Sequence, residues 1–143
     1  MAHAKFTKTF DADCQQLFAV ICDYKKYPDF VQGCLAAQVK RKSDHTAEVT
    51  YRVSMIKEIE YILSHVEKPD EWVMSWKLKK SDFLKKNTGQ WKLKKLGASK
   101  TQVEYEIEID FILPVPQFIV NRIIKNGLPQ LMENFETRAQ AGK

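Results

Sequence analysis

Apolar and polar residues alternate without interruption from residue 102 to residue 111, and Leu113 continues the apolar series after Ile112. The apolar positions are Val103, Tyr105, Ile107, Ile109, Phe111 and Leu113, and the polar ones are Gln102, Glu104, Glu106, Glu108 and Asp110. A period of two is typical of a β-strand with one buried face and one face in solvent. Proline lacks the backbone N–H that a strand needs, so Pro114 and Pro116 end this strand, and Pro116 is well placed as the first residue of a helix.

The segment after Pro116 carries the spacing of an amphipathic helix. Its apolar positions recur at steps of four, four, three and four, at Val120, Ile124, Leu128, Leu131 and Phe135. We predict one long helix that ends near Ala139 and lays this stripe on the sheet. Phe118, Ile119 and Ile123 fall on another side of the helix, so something besides the sheet must cover its first half.

The start of the chain predicts a strand followed by two short helices. Residues 4–10 form the strand, with Phe6 and Phe10 on one face. Asp13 is placed to cap the next helix, and Gln16 stands three residues further on, which is the arrangement of a capping box. That helix ends near Asp23, and residues 24–31, which include a proline, predict a second short helix or a turn.

Five more apolar segments follow between residues 35 and 96, which is the pattern of an antiparallel meander. Residues 68–71 contain proline and aspartate and predict a turn between the third and the fourth of them. The predicted fold class is therefore α+β. It consists of a curved antiparallel sheet of about seven strands wrapped around a long C-terminal helix, with two short helices after the first strand.

The inward face of this sheet carries more aromatic area than one helical stripe can cover. Tyr51, Tyr61, Trp72, Trp76, Trp91 and Tyr105 share that face with many aliphatic residues. A bent sheet can close around a hollow, and a core filled by side chains is the alternative. The residues that we expect to contact a ligand in such a hollow are Tyr51, Val53, Tyr61, Trp76, Trp91, Tyr105, Ile107, Ile109, Ile124 and Leu128.

Length and composition are those of one globular domain over residues 1–143. The chain is 44% hydrophobic and 11% aromatic, and no Gly/Ser/Pro-rich linker divides it. The N-terminal residues lack the apolar core of a signal peptide, and no segment approaches the roughly 20 apolar residues of a membrane span, so we expect a cytoplasmic protein. Cys14, Cys22 and Cys34 form no CxxC pair, so we expect neither a disulfide framework nor a metal site.

The net charge is +5, and lysines are concentrated between residues 77 and 100. Nine lysines stand there with a single acidic residue, Asp82. One interpretation is a solvated face on which Lys92 and Lys94 pair with the glutamates of the next strand. The other interpretation is attraction to phosphates, either of anionic lipid head groups or of RNA. We expect no DNA partner.

The polar residues do not assemble a convincing catalytic set. His3, His45 and His65 lie in a terminus, a turn and a strand without the spacing of metal ligands, and the five glycines form no phosphate-binding loop. A few tyrosine hydroxyls, and Arg122 on the helix, can reach the pocket. Such groups suit the orientation of a ligand head group. We therefore favour a binding protein over an enzyme, although a cyclase, which needs mainly to fold its substrate and supply one acid, stays open.

Residues 23–30, Asp-Tyr-Lys-Lys-Tyr-Pro-Asp-Phe, followed by Gly33 and Cys34, resemble the START-like superfamily, and more narrowly its coenzyme-Q-binding and polyketide cyclase/dehydrase group. Trp91 in a late strand, the break at residues 114–116 and the terminal helix extend the resemblance over nearly the whole chain. It implies a helix-grip fold whose cavity holds an apolar small molecule, ubiquinone in the namesake group. Other members are described as ribosome-associated toxins or as cyclases acting on polyketides.

These observations lead to one preferred hypothesis and to alternatives. The preferred function is non-catalytic binding of a quinone or isoprenoid-type lipid, such as ubiquinone, in a cavity between the sheet and the C-terminal helix, by a carrier or chaperone. A second expectation is that Phe118, Ile119, Arg122 and Ile123 form a lip that touches a membrane, at its inner surface, or a partner. The alternative functions are a ribosome-associated, toxin-like regulator and a polyketide cyclase or aromatase.

Overall fold

Seven antiparallel strands form one sheet in the computed structural model, which describes residues 2–55 and 57–141. The strands are β1 (Ala2–Phe10), β2 (Cys34–Ser43), β3 (Thr46–Ser54), β4 (Glu58–Lys68), β5 (Val73–Ser81), β6 (Leu84–Gly97) and β7 (Lys100–Phe111). Their order across the sheet is β1-β7-β6-β5-β4-β3-β2, so β1 pairs with the last strand and the others form a meander. The sheet is curved, and the predicted helix-grip fold class is confirmed.

The register of the strands places large aromatic residues side by side on the concave face. Tyr51 of β3 is directly opposite Tyr61 of β4, and Trp91 of β6 is opposite Tyr105 of β7. Residues paired in this way are close enough for their side chains to pack. The ring centroids of the two pairs are 5.8 Å and 4.7 Å apart. The concave face is therefore lined by aromatic rings along several neighbouring strands.

Two short helices follow β1, as the sequence predicts. Helix α1 spans Cys14–Ile21, and α2 spans Tyr27–Phe30 after a 3-10 turn at Tyr24–Lys26. Asp13 accepts a hydrogen bond from the Gln16 backbone N–H at 3.1 Å, which confirms the predicted N-cap. The buried Gln16 Oε1 has no hydrogen-bond partner within the described residues, so only half of the predicted capping box forms.

Two residues of the described chain have a left-handed backbone. Trp72 follows a 3-10 turn (Pro69–Glu71) with φ of 55° and stands just before the first residue of β5. Its half-buried ring packs against the core and lies edge-on to Phe18 of α1, with 5.5 Å between centroids. Gly33 has φ of 86°, and its carbonyl accepts a hydrogen bond from the Ser54 N–H at 2.8 Å. Glycine adopts this conformation without strain, and the bond ties the loop before β2 to the end of β3.

The predicted long C-terminal helix is confirmed, and its backbone is not uniformly α-helical. It consists of α3 (Gln117–Asn121), a π-helical segment (Arg122–Gly127) and α4 (Leu128–Ala141), and Pro116 is the N-cap. Pro129 has no N–H to bond the carbonyl four residues earlier, and its ring crowds that carbonyl in an α-helix. The wider i→i+5 turns that precede Pro129 relieve this conflict. The sequence signal was the Gly127-Leu128-Pro129 run, which the apolar spacing does not reveal.

The packed core lies where α1 and α4 meet the sheet. Phe10, Leu17, Val103 and Phe135 are among its fully buried side chains. The buried residues of α4 are Leu128, Met132, Phe135 and Ala139, whereas α3 and the π-helical segment bury none. The second half of the C-terminal helix is therefore anchored by buried side chains, whereas the first half contacts the core only through half-buried residues such as Val120 and Ile124.

Candidate functional site

A cavity of about 920 Å³ lies between the concave face of the sheet, the loop before β2 and the C-terminal helix. Strands β3 to β7 all contribute to its wall, and the helix covers it between Arg122 and Phe135. Small-molecule sites in proteins have volumes of roughly 300–1,000 Å³. The structure thus contains the hollow that the broad aromatic face predicts, with the size of a ligand site.

Nine of the ten residues predicted to contact a ligand lie in the cavity wall. They are Tyr51, Val53, Tyr61, Trp76, Trp91, Tyr105, Ile107, Ile109 and Leu128. Ile124 is not in the wall and packs half-buried against the core. Ile123 stands in the wall with Leu128 instead, because the wider turns of the π-helical segment change the regular α-helical spacing that placed Ile124 there. That the wall residues contact a ligand stays a prediction.

The wall also contains polar residues that the sequence analysis did not select. His65 and Asn87 are buried in it, and Gln130 and Asn134 reach it from α4. Position parity in the strands could have found the first two, because successive side chains of a strand point to opposite faces. His65 has the parity of Tyr61 on β4, and Asn87 has that of Trp91 on β6.

Trp76 is held in the wall by one hydrogen bond and one close approach. Its indole Nε1 donates to Asn87 Oδ1 at 2.9 Å. Its ring lies over Gly89, where a Cβ atom would stand 2.5 Å from Trp76 Cζ2. Only glycine leaves room for the indole at this position. The ring also lies beside that of Tyr105, with 5.6 Å between centroids, so Trp76 has one defined orientation.

His65 is buried among aromatic and sulfur-containing side chains. Its Nε2 is 3.0 Å from the Tyr51 hydroxyl, and its Nδ1 is 3.2 Å from Met74 Sδ. The Tyr24 ring stacks on the imidazole, with 4.1 Å between centroids. Burial, aided by the positive charge of Arg41, lowers the pKa of His65 to about 3. His65 is therefore neutral at physiological pH, and it is poorly suited to act as a cationic acid.

A charged pair behind His65 holds Tyr24 in place. The Tyr24 hydroxyl donates to Glu67 Oε2 at 2.6 Å. Arg41 approaches both oxygens of the same carboxylate, at 3.1 Å and 3.0 Å. Glu67 is buried, and these three donors compensate for the lost hydration of its charge. A continuous set of contacts therefore leads from Arg41 through Glu67 and Tyr24 to His65.

The hydroxyls of Tyr61 and Tyr105 have no hydrogen-bond partner among residues 2–55 and 57–141. Neither oxygen is sealed inside protein, since both residues line the cavity. Burial raises the pKa of both tyrosines well above the ordinary value. Both hydroxyls therefore stay protonated, and each can donate to a ligand or accept from it.

The cavity offers weak chemistry apart from hydrogen bonding. Burial raises the pKa of the Cys34 thiol in its wall to about 11, and the neutral thiol is a poor nucleophile. In the part of the chain that the structure describes, no three His, Cys, Asp or Glu side chains are grouped as a metal site requires. The arrangement suits holding and orienting a ligand.

The four residues of the predicted lip are divided between the cavity and its surroundings. Arg122 and Ile123 line the cavity, whereas Phe118 and Ile119 do not. Phe118 is 63% exposed, and Ile119 is half-buried. The apolar residues that the helical stripe leaves uncovered are thus near the cavity, and one of them contributes to its wall.

Two further exposed apolar residues precede the same helix, Ile112 and Leu113, and with Phe118 we call them the apolar tip. The exposed fraction is 52% for Ile112, 70% for Leu113 and 63% for Phe118. The Ile112 N–H donates to the Phe83 carbonyl at 3.1 Å, and Lys57 Nζ lies 5.5 Å from the Phe83 ring centroid. Three loops therefore meet beside the apolar tip. No helix among the described residues is long and apolar enough to cross a membrane.

The lysines of residues 77–100 are paired only in part. Lys86 forms an ion pair with Glu108 at 2.7 Å. Lys92 stands opposite Glu104 in the sheet register, but neither Lys92 nor Lys94 forms an ion pair with a carboxylate of the described chain. The predicted cross-strand pairing thus occurs at another lysine of the segment.

Comparisons with known proteins identify a family and a fold. The family model described as polyketide cyclase/dehydrase and lipid transport matches residues 10–136. No curated protein matches the chain.

Three solved structures represent the fold similarity. The Zhui aromatase/cyclase from a Streptomyces species has a TM-score of 0.85 at 12% identity, covering 97% of this chain and 93% of that one. A START superfamily protein from Mycobacterium smegmatis has a TM-score of 0.85 at 16% identity, covering 99% of each chain. A STAR-related lipid transfer protein from Xanthomonas axonopodis has a TM-score of 0.76 at 12% identity, covering 96% and 85%. At such identities the similarity shows a common fold.

Proposed function

We propose a function on the basis of the family to which this chain belongs, the polyketide cyclase/dehydrase and lipid transport family of START-like, ligand-binding domains. The proposed function is non-catalytic binding of an apolar small molecule as its carrier or chaperone. The ligand class is a quinone or an isoprenoid-type lipid, with ubiquinone as the first candidate. No other cofactor enters the proposal.

One observation supports this proposal above all others, the cavity of about 920 Å³ with an aromatic wall. Its apolar lining includes Trp76, Trp91, Ile107 and Leu128. Each methylene of an isoprenoid tail that leaves water contributes about 0.8 kcal/mol, so a modest tail length suffices for tight binding. The polar groups of the wall would then orient the head group, which is the usual division of roles in such sites.

The low reactivity of the wall favours a carrier over an enzyme. His65 is neutral, the Cys34 thiol is protonated, and the cavity tyrosines keep their protons. A polyketide cyclase or aromatase is the alternative within the same cavity, supported by the fold shared with the Zhui aromatase/cyclase and by the free hydroxyls of Tyr61 and Tyr105. Such an enzyme needs mainly to fold its substrate, and one of these hydroxyls would supply the acid.

Identification of the bound molecule tests the proposed function. The protein would be purified from its native host under mild conditions, extracted with organic solvent and analysed by mass spectrometry. We expect a quinone or isoprenoid lipid in an amount close to that of the protein. An extract without such a compound in near-stoichiometric amount contradicts the carrier, and turnover of a polyketide substrate would favour the cyclase.

We also propose that the lip of Phe118, Ile119, Arg122 and Ile123, with the apolar tip, contacts a membrane through which the ligand enters. Exposed apolar residues and a cationic side chain beside the cavity support it. Bilayer contact would let an apolar ligand move between lipid and cavity without crossing water. The corresponding location is the cytoplasmic side, at the inner membrane surface.

The ribosome-associated regulator is the alternative function of a different class. Among the lysines of residues 77–100, only Lys79 and Lys86 form ion pairs with carboxylates of the described chain. The other seven, Lys77, Lys80, Lys85, Lys92, Lys94, Lys95 and Lys100, are available to phosphates. Co-sedimentation with ribosomes that survives moderate salt would favour this alternative, and its loss at moderate salt would oppose it.

A further inference from the structure

The hydrogen bond between Trp76 and Asn87 determines which polar atom Asn87 presents to the cavity. An indole N–H can only donate, so the atom that faces Trp76 Nε1 at 2.9 Å must be the amide oxygen of Asn87. The amide nitrogen, Nδ2, then points away from Trp76. It has no partner within residues 2–55 and 57–141, although Asn87 is only 5% exposed and lines the cavity. Asn87 therefore offers the ligand a hydrogen-bond donor.

The contacts of His65 determine in the same way what Tyr51 presents. A thioether sulfur carries no proton, so the 3.2 Å contact with Met74 is favourable only when His65 Nδ1 bears the hydrogen. In that tautomer Nε2 is an acceptor, and the Tyr51 hydroxyl donates its proton to it at 3.0 Å. The oxygen of Tyr51, at the cavity wall, keeps its acceptor capacity. Tyr51 therefore offers the ligand an acceptor.

The two positions are well separated across the sheet. Tyr51 lies on β3 and Asn87 on β6, which are three strands apart in the sheet order. Neighbouring strands are spaced by about 4.8 Å, so the two backbones are roughly 14 Å apart. The hydroxyls of Tyr61 and Tyr105 can each donate or accept, so they do not determine which end of a ligand carries the donor and which the acceptor.

We propose that Asn87 and Tyr51 select a neutral ligand that carries a carbonyl at the end facing Asn87 and a hydroxyl at the end facing Tyr51. This inference rests on the proposed binding of an apolar small molecule in the cavity, and ubiquinone, which has no hydroxyl, would satisfy only the Asn87 end. A ligand with acceptors alone satisfies Asn87 but leaves the Tyr51 end unused. A ligand with hydroxyls alone can also form hydrogen bonds at both ends. At Asn87, however, its hydroxyl oxygen must be the acceptor, and a hydroxyl oxygen is a weaker acceptor than a carbonyl oxygen.

Three biphenyl probes test the polarity. The first carries an acetyl group at one end and a hydroxyl at the other, the second has ethyl in place of acetyl, and the third has methyl in place of hydroxyl. Affinities are measured by isothermal titration calorimetry. We expect the first probe to bind about fivefold more tightly than each of the others, since one neutral hydrogen bond is lost in each comparison.

Paired substitutions assign each preference to its residue. Trp76→Phe/Asn87→Leu and Tyr51→Phe/His65→Leu each replace both partners of one hydrogen bond, so that neither partner is left unsatisfied. We expect the first pair to remove only the acetyl preference and the second pair to remove only the hydroxyl preference. Comparing probes within one variant cancels general effects of the substitution on the cavity. Leu96→Ser, at an exposed residue outside the cavity lining, should leave both preferences unchanged.

Decylubiquinone, measured alongside, separates this inference from the proposed function. If it binds and the biphenyl probes bind equally or not at all, the selection by Asn87 and Tyr51 is wrong and the carrier function stands. A hydroxyl preference that disappears in Tyr61→Phe instead of Tyr51→Phe/His65→Leu also overturns the selection. If neither decylubiquinone nor any biphenyl binds, both proposals fail.

Discussion

The indole of Trp76 occupies the space that a side chain at Gly89 would need. A Cβ atom at residue 89 would lie 2.5 Å from Trp76 Cζ2 and would also meet the backbone oxygen of Glu106. We expect Gly89→Ala to reduce the free energy of unfolding by about 2 kcal/mol, because the ring and the β6–β7 pair must both shift. Urea unfolding followed by circular dichroism measures this change.

Gly97→Ala is the matched control for this substitution. Gly97 lies at the end of the same strand, and an added Cβ there meets no atom within 4 Å. We expect a change of less than about 0.5 kcal/mol. Equal effects of the two substitutions would show that the space around Trp76 is not restrictive.

The pair of Arg41 and Glu67 predicts an asymmetric response to substitution. The side chain of Glu67 is 8% exposed and that of Arg41 is 45% exposed. Arg41→Met leaves the buried carboxylate without its cation and should cost about 2 kcal/mol, whereas Glu67→Gln should cost about half as much because water can solvate Arg41. Chemical denaturation of both variants and of the double variant measures their coupling. Additive costs would contradict a direct interaction.

The low pKa of His65 predicts a loss of stability in weak acid. Burial, with the charge of Arg41, lowers this pKa from 6.5 to about 3 in the folded state. The unfolded chain therefore binds a proton that the folded protein excludes, so the contribution of His65 is complete above pH 6.5 and declines as the pH falls toward 3. Between pH 6.5 and about pH 5 the decline is on the order of 1–2 kcal/mol.

His65→Gln isolates this contribution from that of the carboxylates. Glutamine keeps a hydrogen-bonding side chain near Tyr51 and does not titrate. Denaturant unfolding of both proteins over this pH range gives the difference between their slopes. We expect the variant to lack the decline, and parallel pH profiles would contradict a neutral, buried His65.

Filling the cavity should remove ligand binding without unfolding the protein. Ile107 lines the cavity and is half-buried, so the larger ring of Ile107→Phe can enter open space. We expect a change in stability within about 1 kcal/mol, and at least a tenfold loss of decylubiquinone affinity. Val66→Phe is the control, because it also replaces a β-branched residue with phenylalanine. Val66 is 39% exposed and lies outside the cavity lining. Undiminished binding by Ile107→Phe would place the ligand elsewhere.

The membrane lip predicts a specific loss of liposome association. Phe118→Ser/Ile119→Ser removes apolar area beside the cavity, and we expect binding to liposomes with anionic lipid to fall at least tenfold in flotation. Leu96→Ser is the control, since Leu96 is 51% exposed but lies at the other end of the β6–β7 hairpin from the apolar tip. Association that survives the double substitution, or that Leu96→Ser reduces equally, would exclude this lip as the contact.

Alternation of apolar residues was sufficient to predict the seven strands and the aromatic wall. Tyr51, Tyr61, Trp91 and Tyr105 reached the same concave face because the period of a strand is a local property of the chain. Trp72, with a left-handed φ of 55°, packs against Phe18 and the core but does not line the cavity. The predicted N-cap at Asp13 held for the same local reason.

Features that depend on distant parts of the chain could not be predicted in this way. The Tyr51–His65 and Trp76–Asn87 hydrogen bonds join residues 14 and 11 positions apart. Which atom donates and which accepts in each bond depends on the partner atoms. Ile123 replaced Ile124 in the cavity wall because the π-helical segment changes the number of residues per turn. Pro129 was visible in the sequence, but apolar spacing alone carries no information about the backbone of the turn before it.

The uneven anchoring of the C-terminal helix has a consequence for its amide protons. Opening of α4 must expose Leu128, Met132, Phe135 and Ala139, whereas opening of α3 and the π-helical segment exposes no buried side chain. Local opening of the first half is therefore much less costly than opening of the second. We expect deuterium to replace the amide hydrogens of residues 117–127 well before those of 128–141. The helix is thus anchored in the core by its C-terminal half, and the π-helical segment that lines the cavity is the part that opens more easily.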